Sequence, residues 1–120
     1  MPSVPQNLDE TIRAAIAGRR LVSFDLDGLP RIGEPHDYGF CDGVPQLLFY
    51  QVGGRSSSGA PLGWRVALLS KVSDMKLLQQ QFAGPRPQRS GRHKKWDRLI
   101  ASVFNPESED GDQARQASQA

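Results

Sequence analysis

Seven side chains carry the chemistry this sequence can offer: Arg31, His36, Tyr50, Gln51, Arg55, Arg65 and Lys71. Guanidinium forks match the paired oxygens of phosphate and carboxylate. Aromatic faces nearby add stacking surface of the kind that holds single strands, and the Gln51 amide brings a donor and an acceptor. These types point to recognition of a nucleotide, another anionic ligand or single-stranded nucleic acid. Arg55 lies in the loop "GGRSSSG", where glycine and serine hinder motion little, so it reads as a flap closing over a ligand held by Arg31 and Arg65. The same residues also allow a structural protein-interaction module, in which each arginine only packs over an aromatic ring.

Catalysis has little to stand on. His36 and Cys41 could be drawn as base and nucleophile, but five residues apart across a bend is no triad geometry, so the chain reads as non-enzymatic. Glu34, His36 and Asp37 are metal-capable. Neighbours in an extended segment point alternately to opposite faces and cannot converge on one ion, so no metal or cofactor is expected. "GGRSSSG" lacks the GK[ST] ending and following helix of a phosphate loop.

The elements that position these residues are mostly strands. Leu8, Ile12, Ala15 and Ile16 have helical spacing and Gly18 supplies a stop, which predicts a helix over 7–17. "LVSFDLDG" alternates as a strand and ends in an Asp27-Gly28 turn. "RIGEPHDYGFCDGVP" is a broken extended segment whose proline marks an edge or bend. "QLLFYQV" suits a strand buried on both faces, and "WRVALLSKV" and "SDMKLL" add two more. Along the former, Arg65, Ala67, Leu69 and Lys71 share one face, opposite Trp64, Val66 and Leu68.

Five short strands suit a small barrel, which removes exposed edges. The expected fold is mainly β: an SH3-like or Sm-like five-stranded barrel with an N-terminal and a C-terminal helix. Its interior or helix-covered face is expected to include Phe24, Leu26, Leu48, Tyr50, Val66 and Leu68. Residues 1–83 form the barrel domain and 84–92 a Gly/Pro/Arg-rich linker. Residues 93–104 form a helix carrying Trp96, Leu99, Ile100, Val103 and Phe104 in a stripe that docks on the barrel or builds a homodimer. The segment 105–120 has no periodicity and reads as a disordered tail.

At 120 residues the chain has room for one modest core. Its net charge of +2 hides an uneven distribution. The run "GPRPQRSGRHKKWDR" sets six basic residues against Asp97 alone, whereas 105–120 sets four acids against Arg115. A basic run of this kind fits nucleic acid or a solvated linker under an acidic tail. The single cysteine, Cys41, precludes an internal disulfide and favours a reducing, cytoplasmic setting. No apolar run approaches the ~20 residues of a membrane span, so no membrane is expected.

The order of elements over residues 9–83 resembles the WYL domain, an Sm-like barrel module of bacterial regulators. "IRAAIAGRRLVSFDLDG" looks like that family's leading helix and first strand, and "RIGEP" like its R-x-x-x-P element, with Arg31 and Pro35. "QLLFYQVGGRSSSGAPLGWRVALLSKVSDMKLL" is similar to the namesake strand, a loop, the "FRLDRI" strand and a strand leading to a terminal Phe82. "LLFYQ" stands where Trp-Tyr-Leu would, Leu68 replaces one arginine and Lys71 keeps the charge of the other. The resemblance implies a stand-alone sensor without its own helix-turn-helix, acting in transcription regulation through a separate effector or DNA-binding protein.

Overall fold

The computed structural model describes residues 4–55, 62–86 and 96–103. Helix α1 (Gln6–Gly18) buries Ile12, Ala15 and Ile16, the face that the spacing predicted. It ends where Arg19 turns into the left-handed region at φ 54°, its N–H reaching the Ala15 and Ile16 carbonyls. Six strands follow among the described residues: β1 (Arg20–Leu26), β2 (Leu29–Cys41), β3 (Val44–Gly54), β4 (Gly63–Leu68), β5 (Val72–Gln81) and β6 (Arg98–Ser102). A 3-10 turn, Leu69–Lys71, joins β4 to β5. The fold is therefore mainly β with one helix among the described residues. No helix among the described residues is long and apolar enough to cross a membrane.

The strands form one antiparallel sheet in the order β4-β3-β2-β1-β5, with β6 added beside β2. Strand β4 and strand β5 end this order without pairing to each other, so the sheet is not closed into the expected barrel. The sheet has six strands rather than five because β2 changes partners along its length. Its first part pairs with β1 from Leu29 to Gly33, and its second with β6 from Asp37 to Phe40. Pro35, which has no N–H to give, falls in the gap between the two ladders, where its missing donor costs least.

The register of β2 against β3 slips between Pro35 and Asp37, leaving His36 as the extra residue of a bulge. The slip restores Tyr38 to the core face that Arg31 and Gly33 share; strict alternation would have turned it outward. The Tyr38 hydroxyl donates to Asp9 Oδ1 at 2.6 Å, tying α1 to β2. Burial, then this bond, pushes its pKa upward.

The C-terminal helix expected over 93–104 is replaced by β6 for 98–102. The stripe that suggested a helix also contains the unbroken buried run Ile100, Ala101, Ser102 and Val103, which a strand buries on both faces. A helix of that length is marginal alone, whereas the open edge of β2 offers a full ladder. Ile100 and Val103 are consequently buried within the chain and are not on offer to a second copy. Residues 93–95, Phe104, most of the linker and the expected tail lie outside the described residues.

The core gathers Ile12, Ala15 and Ile16 with Val22, Phe24, Leu26, Tyr38, Leu47, Phe49, Ala67, Leu69, Ile100, Ala101 and Val103. Phe24 and Leu26 are as expected, but on β3 and β4 the inward face is the other one. Leu47, Phe49 and Ala67 point in, Leu48 is buried outside this cluster, Tyr50 and Leu68 are half-buried, and Val66 is 41% exposed. "QLLFY" is apolar on both faces, so alternation cannot say which side is the core.

Candidate functional site

Strand register places the predicted residues on two faces. On the core side, Phe24 is opposite Arg31, Gly33 opposite Gln51, and Pro35 opposite Phe49, which is in turn opposite Arg65. Directly opposed residues share a face, so Arg31, Gln51 and Arg65 lie on the core side at the end of the sheet where the β3–β4 loop begins. Gly33 lies under the Phe49 ring, where any side chain would collide. Gly54, at φ 89°, lets β3 finish hard against Pro30 and Arg31.

Arg31 is only 5% exposed. Its Nη1 donates to Gln51 Oε1 at 3.0 Å, and Gln51 Nε2 donates onward to the Arg55 carbonyl at 3.2 Å. The Arg55 N–H in turn donates to the Pro30 carbonyl at 2.7 Å, closing a belt around the guanidinium. Among the described residues, the buried Arg31 Nε has no hydrogen-bond partner and no carboxylate lies within ion-pair distance of its guanidinium. Burial lowers its pKa first, the nearby Arg65 charge lowers it further, and the Asp27 charge acts in the opposite direction. Two cations thus stand close together at one rim of the core.

The opposite face carries Glu34, Tyr50 and Trp64 in one row across β2, β3 and β4. Arg86, from the segment after β5, folds back onto it. Its Nε and Nη2 donate to the two Glu34 carboxylate oxygens at 2.8 and 3.0 Å, and its guanidinium carbon sits 3.7 Å from the Tyr50 ring centre. The Glu34 hydrogen bonds raise the Arg86 pKa. Tyr50 meets Trp64 edge-on at 5.4 Å. His36, wholly buried, lies edge-on to Trp64 at 4.7 Å and stacks on Phe82 at 5.6 Å. Its Nδ1 lies 2.9 Å from the Glu34 carbonyl, and the Arg86 backbone N–H donates to its Nε2 at 3.3 Å. An acceptor at Nε2 assigns the proton to Nδ1 and makes the ring neutral. Burial, the largest influence, holds the His36 pKa below its ordinary value.

The single Arg/aromatic surface expected from the sequence is therefore divided. Arg31, Gln51 and Arg65 come together; His36 and Tyr50 belong to the other side of the sheet. Arg55 joins the first group through its backbone, its side chain being exposed. Lys71 sits in the 3-10 turn rather than on the Arg65 strand face, exposed and 3.9 Å from Asp27. Glu34 and His36 both take Arg86, the first through its side chain and the second through its backbone, whereas Asp37 accepts from Ser102 Oγ at 2.6 Å. Among the described residues no group of three His, Cys, Asp or Glu could hold a metal ion. Sequence reasoning missed the roles of Glu34, Phe82 and Arg86. The available signal was Arg86 between two prolines, a segment biased toward extended backbone.

The chain matches no protein-family model, no curated protein and no solved structure. Its function must be read from its own geometry.

Proposed function

We propose that this protein is a small non-enzymatic sensor or regulatory module that receives a compact anion, a phosphate or a carboxylate, between Arg31, Gln51 and Arg65. The observation that carries this reading is the Arg31 guanidinium: 5% exposed, held by one neutral acceptor, with a buried Nε lacking a partner and a like charge beside it. Buried charges are ordinarily paired, and an anion beside the Arg31 guanidinium would supply the charge and acceptor that Arg31 lacks, with the nearby Arg65 charge adding attraction. The nucleotide phosphate, or a terminal phosphate of a single strand, is the natural source. The resemblance to WYL domains belongs to the same proposal, as do a cytoplasmic setting and output through a separate effector or DNA-binding protein.

The test is a low-salt titration of the full chain with inorganic phosphate, a nucleotide panel and mixed-sequence single strands, repeated with Arg31→Gln and Arg65→Gln. Binding of a phosphate-bearing ligand that both substitutions weaken at least tenfold supports the reading. No binding at ~20 mM salt, where charge attraction is strongest, would retire it in favour of arginines that only pack.

A further inference from the structure

We infer that the Glu34–Tyr50–His36 face is a receptor for a proline-flanked arginine, filled here by the chain's own Arg86, and that a partner protein carrying such a segment takes the same seat. No residue of this seat belongs to the anion site, so the two stand or fall separately.

Three contacts of different kinds define what fits. The Glu34 carboxylate takes two N–H groups of one guanidinium, a pairing a lysine ammonium cannot reproduce. The Tyr50 ring lies under the same guanidinium, and His36 Nε2 takes the main-chain N–H of the residue that carries it. The seat therefore reads a side chain and its backbone together. The sequence around its present occupant is Gly84-Pro85-Arg86-Pro87. Pro87 biases Arg86 toward extended backbone and Pro85 fixes its own φ, while Gly84 takes φ 126°, a conformation that favours glycine, so a segment that keeps all four residues has little freedom to lose at its arginine.

Floor and occupant differ in how firmly they are held. Glu34 and His36 are buried, and the row Glu34, Tyr50, Trp64 is set by the ladders of β2, β3 and β4, none of which involves Arg86. The Arg86 side chain is 38% exposed and can leave without opening the core. Upstream, Phe82 is fixed by its N–H to the Arg19 carbonyl at 2.8 Å and by stacking on His36, so Arg86 is tethered close to its seat. A short tether gives an effective concentration in the millimolar range. The chain thus blocks its own receptor, and a partner must outcompete Arg86.

The experiment uses full-length Arg86→Ala and the acetylated, amidated peptide Gly-Pro-Arg-Pro, with its Gln counterpart as control, followed by Tm and by the Trp64 indole N–H signal in NMR. The arginine peptide should raise Tm and shift the Trp64 signal saturably, the Gln peptide should do neither, and wild type should need at least tenfold more peptide. Should Arg86→Ala not fold, Arg86→Lys keeps an aliphatic stem and charge over Tyr50 while losing the fork, and serves in its place. Adding Glu34→Gln to either variant should abolish the response. A folded variant that ignores both peptides, answers both equally, or still binds with Glu34→Gln overturns the inference.

Discussion

Gly39 lies directly against the Arg98 carbonyl, so close that a Cβ at position 39 would collide with it and press on the Leu99 backbone and the Trp96 ring. That approach is what allows β6 to lie along β2. Gly39→Ala should push β6 away at a cost of about 1–3 kcal/mol, the usual range for overpacking. Hydrogen exchange at the Asp97 N–H, which donates to the Phe40 carbonyl at 2.8 Å, should accelerate. Unchanged protection there would show that β6 docks by another route.

Leu47 and Val66 separate the two faces of β3 and β4. Leu47→Ala empties a fully buried position and should cost about 2–5 kcal/mol. Val66→Ala, at a position 41% exposed, should stay within about 1 kcal/mol. Urea midpoints at constant slope decide the comparison; equal losses would mean that the inward face has been misassigned.

These two cases also show what the sequence could tell. The α1 stripe of Ile12, Ala15 and Ile16 and the Asp27-Gly28 turn are local signals, and both elements form where spacing and turn chemistry put them. The face of β3 was hidden because residues 47–50 are apolar on both sides. Strand β6 was hidden because its stability comes from an edge of β2 some sixty residues earlier, which no window contains. In the site, Arg31, Gln51 and Arg65 were legible as types. Their separation from His36 and Tyr50 follows from strand register and the bulge at His36. Arg86 carried only its proline flanks, with nothing to say that it returns to Glu34.

His36 makes stability pH-dependent. Burial holds its folded pKa below the unfolded value of about 6.5. As pH falls below that value the unfolded chain takes up the proton first, so stability present above about pH 6.5 is lost progressively until the folded pKa is passed. Glu34, Asp37 and Arg86 are the charges acting on the ring. The urea midpoint of wild type should fall more between pH 7 and pH 5 than that of His36→Asn; parallel curves would contradict a neutral buried imidazole.

Arg31 sets ligand-free stability against binding. Arg31→Met removes a buried charge with a like-charged neighbour and should raise the Tm of the free protein, as replacing buried charges by apolar groups of similar volume often does. The same substitution should abolish stabilisation by phosphate-bearing ligands, which for wild type reaches about 2.7 kcal/mol at a hundredfold excess over Kd. Arg55→Ala, whose side chain is exposed, should leave Tm unaltered. A lower Tm for Arg31→Met would favour a purely structural arginine.

The partner change along β2 has a consequence for synthesis. From Asp37 to Phe40 this strand is flanked on one side by β3, a hairpin neighbour available early, and on the other by residues 98–102. While the chain is growing on the ribosome, that second side stays a bare row of amides and carbonyls until Ser102 has emerged. An unpaired strand edge invites pairing with other chains. Nascent molecules stalled before β6 should therefore be the aggregation-prone species, and a chaperone that shields strand edges should act on this protein before β6 is in place.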